Sequence, residues 1–229
     1  MVKKHLLIYF FLLKFSLVFS QAIRPFKLFD IGTGINLNKV AGDAETYTNT
    51  TSFNLNLTYN VNPYLNVVTD LQFGKLAGGD SVATLTGRQF QNSFKSIAFR
   101  SQFQLGLLVR GSEDVFINSL RSVYAGVGVG AIDNNIDKIN RDSKMLPGFT
   151  TSGIERSLEV YFPIRIGYDY KVKNVFQETL FKIDFGYQYN VGIGDNMDGF
   201  DTGRLKDNFA QFFLGLKICA FGSQWAHSY

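Results

Sequence analysis

The chain has 229 residues, of which 18% are charged and 15% are aromatic. Soluble domains carry about 25% charged residues, so the composition favours an envelope or membrane protein over an ordinary soluble one. The formal net charge is +4, but three lysines lie in the first 20 residues, and the rest of the chain is close to neutral. The charge balance therefore indicates no nucleic-acid partner.

The first 20 residues have the three parts of a secretory signal peptide. Lys3 and Lys4 form a positive start, residues 6–13 are continuously apolar, and Val18-Phe19-Ser20 offers a cleavage site. The alternative is a transmembrane anchor, but Lys14 interrupts the apolar stretch before it reaches the roughly 20 residues that a spanning helix needs. We expect cleavage after Ser20, which leaves residues 21–229 as one domain.

The rest of the chain shows recurring alternation with a period of two. In the segment from Ser157 to Tyr170, every even-numbered residue is apolar or aromatic. Soluble strands typically have about 5–6 residues, whereas a tilted strand needs about 9–11 to cross a bilayer. Eight such segments are predicted as strands: Phe29–Asn38, Ser52–Val61, Tyr64–Leu76, Phe94–Arg110, Arg121–Ile132, Arg156–Lys171, Thr179–Gly194 and Asn208–Phe221.

An even number of strands predicts the architecture. Unpaired backbone groups in lipid cost several kcal/mol each, so membrane-spanning strands must close into a barrel. The predicted links after the first, third, fifth and seventh strands are long, and those after the second and sixth are short. Outer-membrane barrels combine long outer loops with short periplasmic turns. We therefore predict an all-β, eight-stranded, up-and-down antiparallel barrel in the bacterial outer membrane.

The alternation also assigns the two faces of each strand. The lipid-facing band is expected to include Phe162, Ile164, Phe185 and Tyr187. The interior of an eight-stranded barrel is filled by its own side chains, so charges that point inward should pair with one another. Glu159, Arg165, Lys182 and Asp184 are expected to form one ionic network. The predicted charges of the lumen are Asp70, Arg100, Glu159, Arg165, Asp169, Lys182, Asp184 and Lys217.

Two strands depart from the simple pattern. Pro163 lies inside the sixth strand and lacks an N–H group, so we expect a bulge or an inward kink there. The fifth strand alternates apolar residues with Gly126, Gly128 and Gly130. We expect these glycines to make room inside the barrel for a long side chain such as Arg or Tyr.

Short stretches of the sequence resemble a known group. The predicted signal peptide is followed by Gln21, the sixth strand contains Leu158-Glu159-Val160 with Pro163-Ile164 after it, and the eighth contains Phe213-Leu214-Gly215-Leu216-Lys217. On these features the chain resembles the small PorT-like outer-membrane β-barrel proteins of Bacteroidota. The resemblance implies the barrel fold and the outer-membrane compartment, and it implies little about activity.

Three classes of function are compatible with such a barrel. The first is a non-enzymatic protein that is structural or assists a surface or secretion complex, with contacts to lipids and to envelope proteins through its loops or turns. The second is an enzyme acting on lipid or peptide through carboxylates among Asp70, Glu159, Asp169 and Asp184; more often such residues only balance interior cations. The third is a narrow channel for small or hydrophobic solutes, although eight strands leave little open space. We favour the first class.

Other candidate sites have weaker support. The mature chain has one His, His227, in its terminal tail, which disfavours a His-based hydrolase. Cys219 is the only cysteine and is expected to be a packed residue of the last strand. Asp195, Asp198 and Asp201 offer oxygen ligands for Ca²⁺, but Lys206 stands where an EF-hand loop has its bidentate Glu. We favour a solvated acidic loop and expect no metal or cofactor.

Overall fold

The alternating segments form the strands of a single sheet. A computed structural model describes residues 23–109, 114–176, 178–201 and 206–227, so the predicted signal peptide lies outside the described residues. Within them, no helix is long and apolar enough to span a membrane. The long strands are β1 (Ile23–Ala41), β2 (Thr50–Asn62), β3 (Leu65–Gly79), β4 (Gln89–Gln104), β5 (Val123–Asn140), β6 (Arg156–Lys173), β7 (Thr179–Gly192) and β8 (Asn208–His227).

The sheet closes on itself. Each strand pairs antiparallel with the next one in the chain, and β1 pairs with β8 along nearly its whole length. The predicted eight-stranded up-and-down barrel is therefore confirmed. Three short elements lie in the links: the two-residue strand Tyr47–Thr48, a 3₁₀ turn (Leu105–Leu107) and the helix α1 (Val115–Leu120).

Three predicted C-terminal strand ends are wrong by six residues or more. The eighth strand is predicted to end at Phe221, but β8 continues to His227, which pairs with Ile23 and so lies in the strand and not in a tail. The other two differences have a physical reason. The fourth strand was expected to continue to Arg110, but β4 ends at Gln104 and the 3₁₀ turn follows. Gly106 is buried there, with the Tyr64 ring against its backbone. The fifth strand was expected to end at Ile132, but β5 continues to Asn140 and stays paired with β4. Hydrogen bonding continues beyond the apolar band, where outward residues no longer need to be apolar.

The faces of the strands follow the predicted alternation. Asp184 is 3% exposed inside the barrel, whereas the adjacent Phe185 is 46% exposed on the outside. Phe162, Ile164 and Tyr187 are also exposed on the outer surface. The outward face of the barrel is thus a band of apolar and aromatic side chains, as a surface in contact with lipid requires.

Pro163 does not produce the expected bulge. The register between β5 and β6 is the same on both sides of it, and Pro163 remains paired with Asn190 of β7. Its side chain is buried inside the barrel. The ladder to β5 has no pairs between Tyr161 and Ile164, so the missing donor interrupts the pairing locally without shifting it.

The glycines of β5 accommodate large neighbours, as predicted. A Cβ atom added to Gly128 would lie 2.6 Å from Cγ of Arg100, and one added to Gly130 would lie 2.6 Å from Cζ of Tyr161. Both neighbours are fully buried. Between Gly126 and Gly130 the inner surface of β5 is therefore flat, and it leaves room for side chains from the strands on either side.

Candidate functional site

The outer part of the barrel interior is an apolar layer. Its largest members are the aromatic side chains of Phe90, Phe94, Tyr161 and Phe209. Strands supply the other wall residues: Val40, Leu76, Ala98 and Ile132. Met197 and Phe200, from the link between β7 and β8, are fully buried in the same layer, where the rings of Phe200 and Phe90 meet edge to face at 6.0 Å. The outer mouth is thus closed by a link that folds inward.

Below the apolar layer, charged side chains from five strands form one network. Arg100 Nη2 donates to Asp70 Oδ2 at 2.9 Å, and Arg165 lies between Asp70 (3.8 Å) and Asp184 (3.4 Å). Lys217 Nζ lies 2.9 Å from Asp184 Oδ2 and 3.1 Å from Asp169 Oδ1. Three carboxylates thus face three cations.

Neutral side chains also contact this ionic network. The Tyr124 hydroxyl donates to Asp184 Oδ1 at 2.6 Å, and Asn54 Nδ2 donates to Asp70 Oδ1 at 3.1 Å. The guanidinium of Arg165 stacks on the Phe213 ring, 3.3 Å from its centroid. Three positive and three negative side chains thus balance one another in the middle of the lumen.

A separate ion pair lies nearer the periplasmic end. Lys182 Nζ donates to Asp30 Oδ2 at 2.6 Å, beside a cavity of about 120 Å³ that Lys171 and Cys219 also line. Lys171 Nζ donates to Gln104 Oε1 at 2.7 Å. Cys219 is half-buried in β8, in line with its expected packing role. A cavity of this size has room for a few water molecules.

The predicted four-residue network of Glu159, Arg165, Lys182 and Asp184 is wrong in two members. Lys182 pairs with Asp30, which the sequence analysis did not single out. Glu159 is buried near the outer mouth, where its Oε1 accepts a hydrogen bond from the backbone N–H of Asn196 at 2.9 Å. Within the described chain, Glu159 takes part in no ion pair. All eight predicted lumen charges do lie inside the barrel, each less than a tenth exposed.

The acidic link does not form the predicted solvated loop. Asp201 is exposed, but Asp198 is fully buried, and so is Asp207 at the other end of the link. Over the described ranges, no group of three or more His, Cys, Asp or Glu side chains is placed to hold a metal ion. The carboxylates of the link instead accept hydrogen bonds from backbone N–H groups.

Comparisons with known proteins give similarity of architecture only. No family model matches the chain, and no curated protein matches it. Among solved structures, Neisserial surface protein A is 12% identical, with 87% of this chain and 100% of that one covered and a TM-score of 0.48. The attachment invasion locus protein Ail of Yersinia pestis is 15% identical over 84% and 98% of the two chains, with a TM-score of 0.44. The outer membrane protein AlkL is 14% identical over 88% and 92%, with a TM-score of 0.40.

The closed ladder and the apolar outer face themselves decide the class. Membrane-spanning strands with an apolar lipid-facing band and a polar interior are the form that bacterial outer-membrane proteins take. This chain is such a barrel. The links after β1, β3, β5 and β7 lie at the outer end, but the longest link, residues 105–122, lies at the periplasmic end and carries the helix α1.

Two kinds of interior residue escaped the sequence analysis. Asp30 and Tyr124 are fully buried and bond to predicted lumen charges, and the alternation of their strands would have identified both as inward. Met197, Phe200 and Asp207 belong to a link, to which no strand periodicity applies. Their burial depends on how the link folds back over the mouth.

Proposed function

We propose that this protein is a non-enzymatic outer-membrane barrel that acts through its two ends, as a structural protein of the envelope or an accessory of a surface or secretion complex. The filled lumen supports this proposal most directly, because an apolar layer and a neutral ionic network occupy the space that a pore or an enzyme site would need. Within the proposal, the chain is exported by its signal peptide and belongs to the PorT-like barrels of Bacteroidota that parts of its sequence resemble.

The periplasmic end offers a surface suited to a protein partner. Two links at this end, after β4 and after β6, expose large apolar side chains. Phe116 in α1 is 68% exposed and Phe176 is 80% exposed. Leu108, Val115 and Val175 are exposed there as well. Clusters of exposed apolar residues often mark interaction sites, which favours the accessory role over a purely structural one.

Two assays test whether the barrel is closed to ions and lacks hydrolytic activity. Purified protein in planar bilayers should show no sustained conductance, with a 16-stranded porin as the positive control. It should also neither deacylate lipid nor cleave peptides. Hydrolysis that disappears in the Asp70→Asn, Asp169→Asn or Asp184→Asn variant would establish the enzyme instead, and a steady conductance would establish the channel.

A complementation test examines the accessory role. Deletion of the gene should reduce the amount of at least one exported protein at the cell surface, and the wild-type gene should restore it. The double variant Phe116→Ser/Phe176→Ser should fold but fail to restore export. A matched variant at the outer end, Leu85→Ser/Phe149→Ser, changes equally exposed residues and should restore it. Full restoration by the periplasmic variant would contradict the use of this surface.

A further inference from the structure

The outer mouth is closed by a short segment that we call the plug segment, Asn196–Phe200. The side chains of Met197 and Phe200 are fully buried in the apolar layer. Asn92 Nδ2 donates to the Met197 carbonyl oxygen at 2.8 Å. Gly199 has a φ of 74°, a conformation that favours glycine and lets the segment turn back towards the strands. The segment thus enters the barrel as an inserted side-chain plug.

Two buried carboxyl groups hold the plug segment in place. Asp207 Oδ2 accepts from the N–H groups of Met197 (2.7 Å) and Asp198 (3.2 Å). Asp198 Oδ1 accepts from the Phe200 N–H at 2.9 Å, and Asp198 Oδ2 accepts from the Asp43 N–H at 2.7 Å. Both acidic side chains are fully buried. Three of these bonds hold the plug segment to its own link, and the fourth joins it to the link after β1.

The two carboxyl groups also face each other. A Cβ atom added to Gly42 would lie 2.6 Å from Asp198 Oδ2 and 2.4 Å from Asp207 Oδ1, so both oxygens approach the same point. Asp207 Oδ1 is buried and has no hydrogen-bond partner among the described residues. Ionisation of Asp207 would therefore leave charge on a buried oxygen that no hydrogen bond from these residues stabilises. With both groups ionised, two negative charges would oppose each other out of water.

The surroundings of this carboxyl pair are mostly acidic. Asp43 and Asp195 add negative charge beside it, and Glu159 binds the start of the plug segment. The nearby cations contact other atoms of the plug segment or solvent. Arg141 donates to the Gly199 carbonyl oxygen, Arg88 stacks on the Phe200 ring, and the Lys206 side chain is exposed. None of the ion pairs among the described residues includes Asp198 or Asp207.

We propose that Asp198 and Asp207 form a proton-dependent latch, which keeps the plug segment inserted while the pair holds a proton and releases it when both carboxyls are ionised. Release would expose the apolar layer to the outside, whereas the ionic network below would remain closed. The latch therefore controls access to an apolar chamber and does not open a pore.

The direction of the pH dependence follows from burial. Burial raises the pKa of Asp198 to about 7, and burial together with the Asp198 charge raises the pKa of Asp207 to about 8. In a released link, both groups would be in water with ordinary pKa values of about 4. The inserted state therefore holds protons more tightly. Its advantage is complete at low pH and is lost as the pH rises through the raised values.

The reaction rate of a thiol placed in the apolar layer can test this latch. Ser96 is buried and accepts a hydrogen bond from the Tyr161 hydroxyl within the layer, so the Ser96→Cys/Cys219→Ser variant places one thiol there. Its reaction with methyl methanethiosulfonate is measured by mass spectrometry from pH 6 to 9.5. The rate is divided by that of the Leu85→Cys/Cys219→Ser variant, whose thiol is on an exposed link. Between pH 7 and 8 this ratio should rise by about tenfold, the slope for loss of one proton on release, and above pH 8 it should level off because both states are then fully ionised.

Two further variants in the Ser96→Cys background isolate the latch. Asp207→Asn removes one ionisable group but keeps an oxygen acceptor, so the rise between pH 7 and 8 should disappear and only the change below pH 7, from ionisation of Asp198, should remain. Asp201→Asn changes an exposed acid of the same link and should leave the rise intact. Retention of a folded band in unheated gels verifies each barrel. A flat ratio in the parent variant, or an equal rise in the Asp207→Asn variant, would overturn the proposal.

Discussion

Arg165 is the residue whose removal should most disturb the barrel interior. It is 4% exposed, lies between Asp70 and Asp184, and stacks on Phe213. Replacement by Ala would leave three carboxylates against two cations in a closed space. Breaking a buried ion pair by removing one partner costs about 3–5 kcal/mol. We therefore expect the Arg165→Ala variant to lose about that amount of unfolding free energy.

Urea unfolding of the refolded barrel, followed by circular dichroism, measures this loss. Taking a slope of about 2–3 kcal/mol per molar urea, the midpoint should fall by about 1–2 M. The Arg165→Met variant keeps much of the side-chain volume but should be nearly as unstable, because the charge is still missing. Adding Asp184→Asn to Arg165→Met restores neutrality and should recover part of the loss. An Arg165→Ala midpoint equal to that of the wild type would refute the reasoning.

Two further predictions test the faces of the strands. Phe185→Arg places a charge in the lipid-facing band and should lower the unfolding free energy by about 2–4 kcal/mol if it lies near the midplane; Val82→Arg on an exposed outer link should change it little in the same urea assay. Gly128→Ala would place a Cβ atom 2.1 Å from the Phe99 carbonyl oxygen and should cost about 1–3 kcal/mol by overpacking. Its control is Ala125→Val, on the exposed face of the same strand, for which an equally large loss would contradict an effect of interior crowding.

The sequence predicts the barrel because lipid imposes a simple rule on its strands. Where the outer face meets lipid, every second residue must be apolar, and this places Asp184 inside and Phe185 outside without any structural knowledge. Beyond the lipid the rule no longer applies, so the continuation of β5 through Asn140 carries no such signal. The end of β4 at Gln104 was missed for a related reason, since Leu105 and Leu107 continue the alternation while the backbone turns.

The sequence predicts which charged residues point into the barrel, but it does not predict which of them form ion pairs. Alternation shows that Lys182 points inward, but its partner depends on which inward acid lies at the same height across the barrel. Asp30 is that partner because β1 and β7 both pair with β8, which brings residues far apart in sequence to one level. The registers of the strands depend on pairing around the whole barrel, and the alternation within one strand does not reveal them. The burial of link residues such as Asp207 is harder still to predict, because links have no periodic pattern.

The order of layers along the barrel axis limits how this protein can act. An ionic network with equal numbers of opposite charges gains little from any rearrangement, because displacing one member leaves a buried charge uncompensated. The middle of the lumen is therefore expected to stay fixed. The outer layer is different, since Met197 and Phe200 lie in a link outside the strand ladder, and in the latch proposed above the buried Asp198 and Asp207 repel each other when both are ionised. The proposed change is therefore confined to the outer mouth, while the exposed apolar side chains of the periplasmic links are available whatever the state of the mouth.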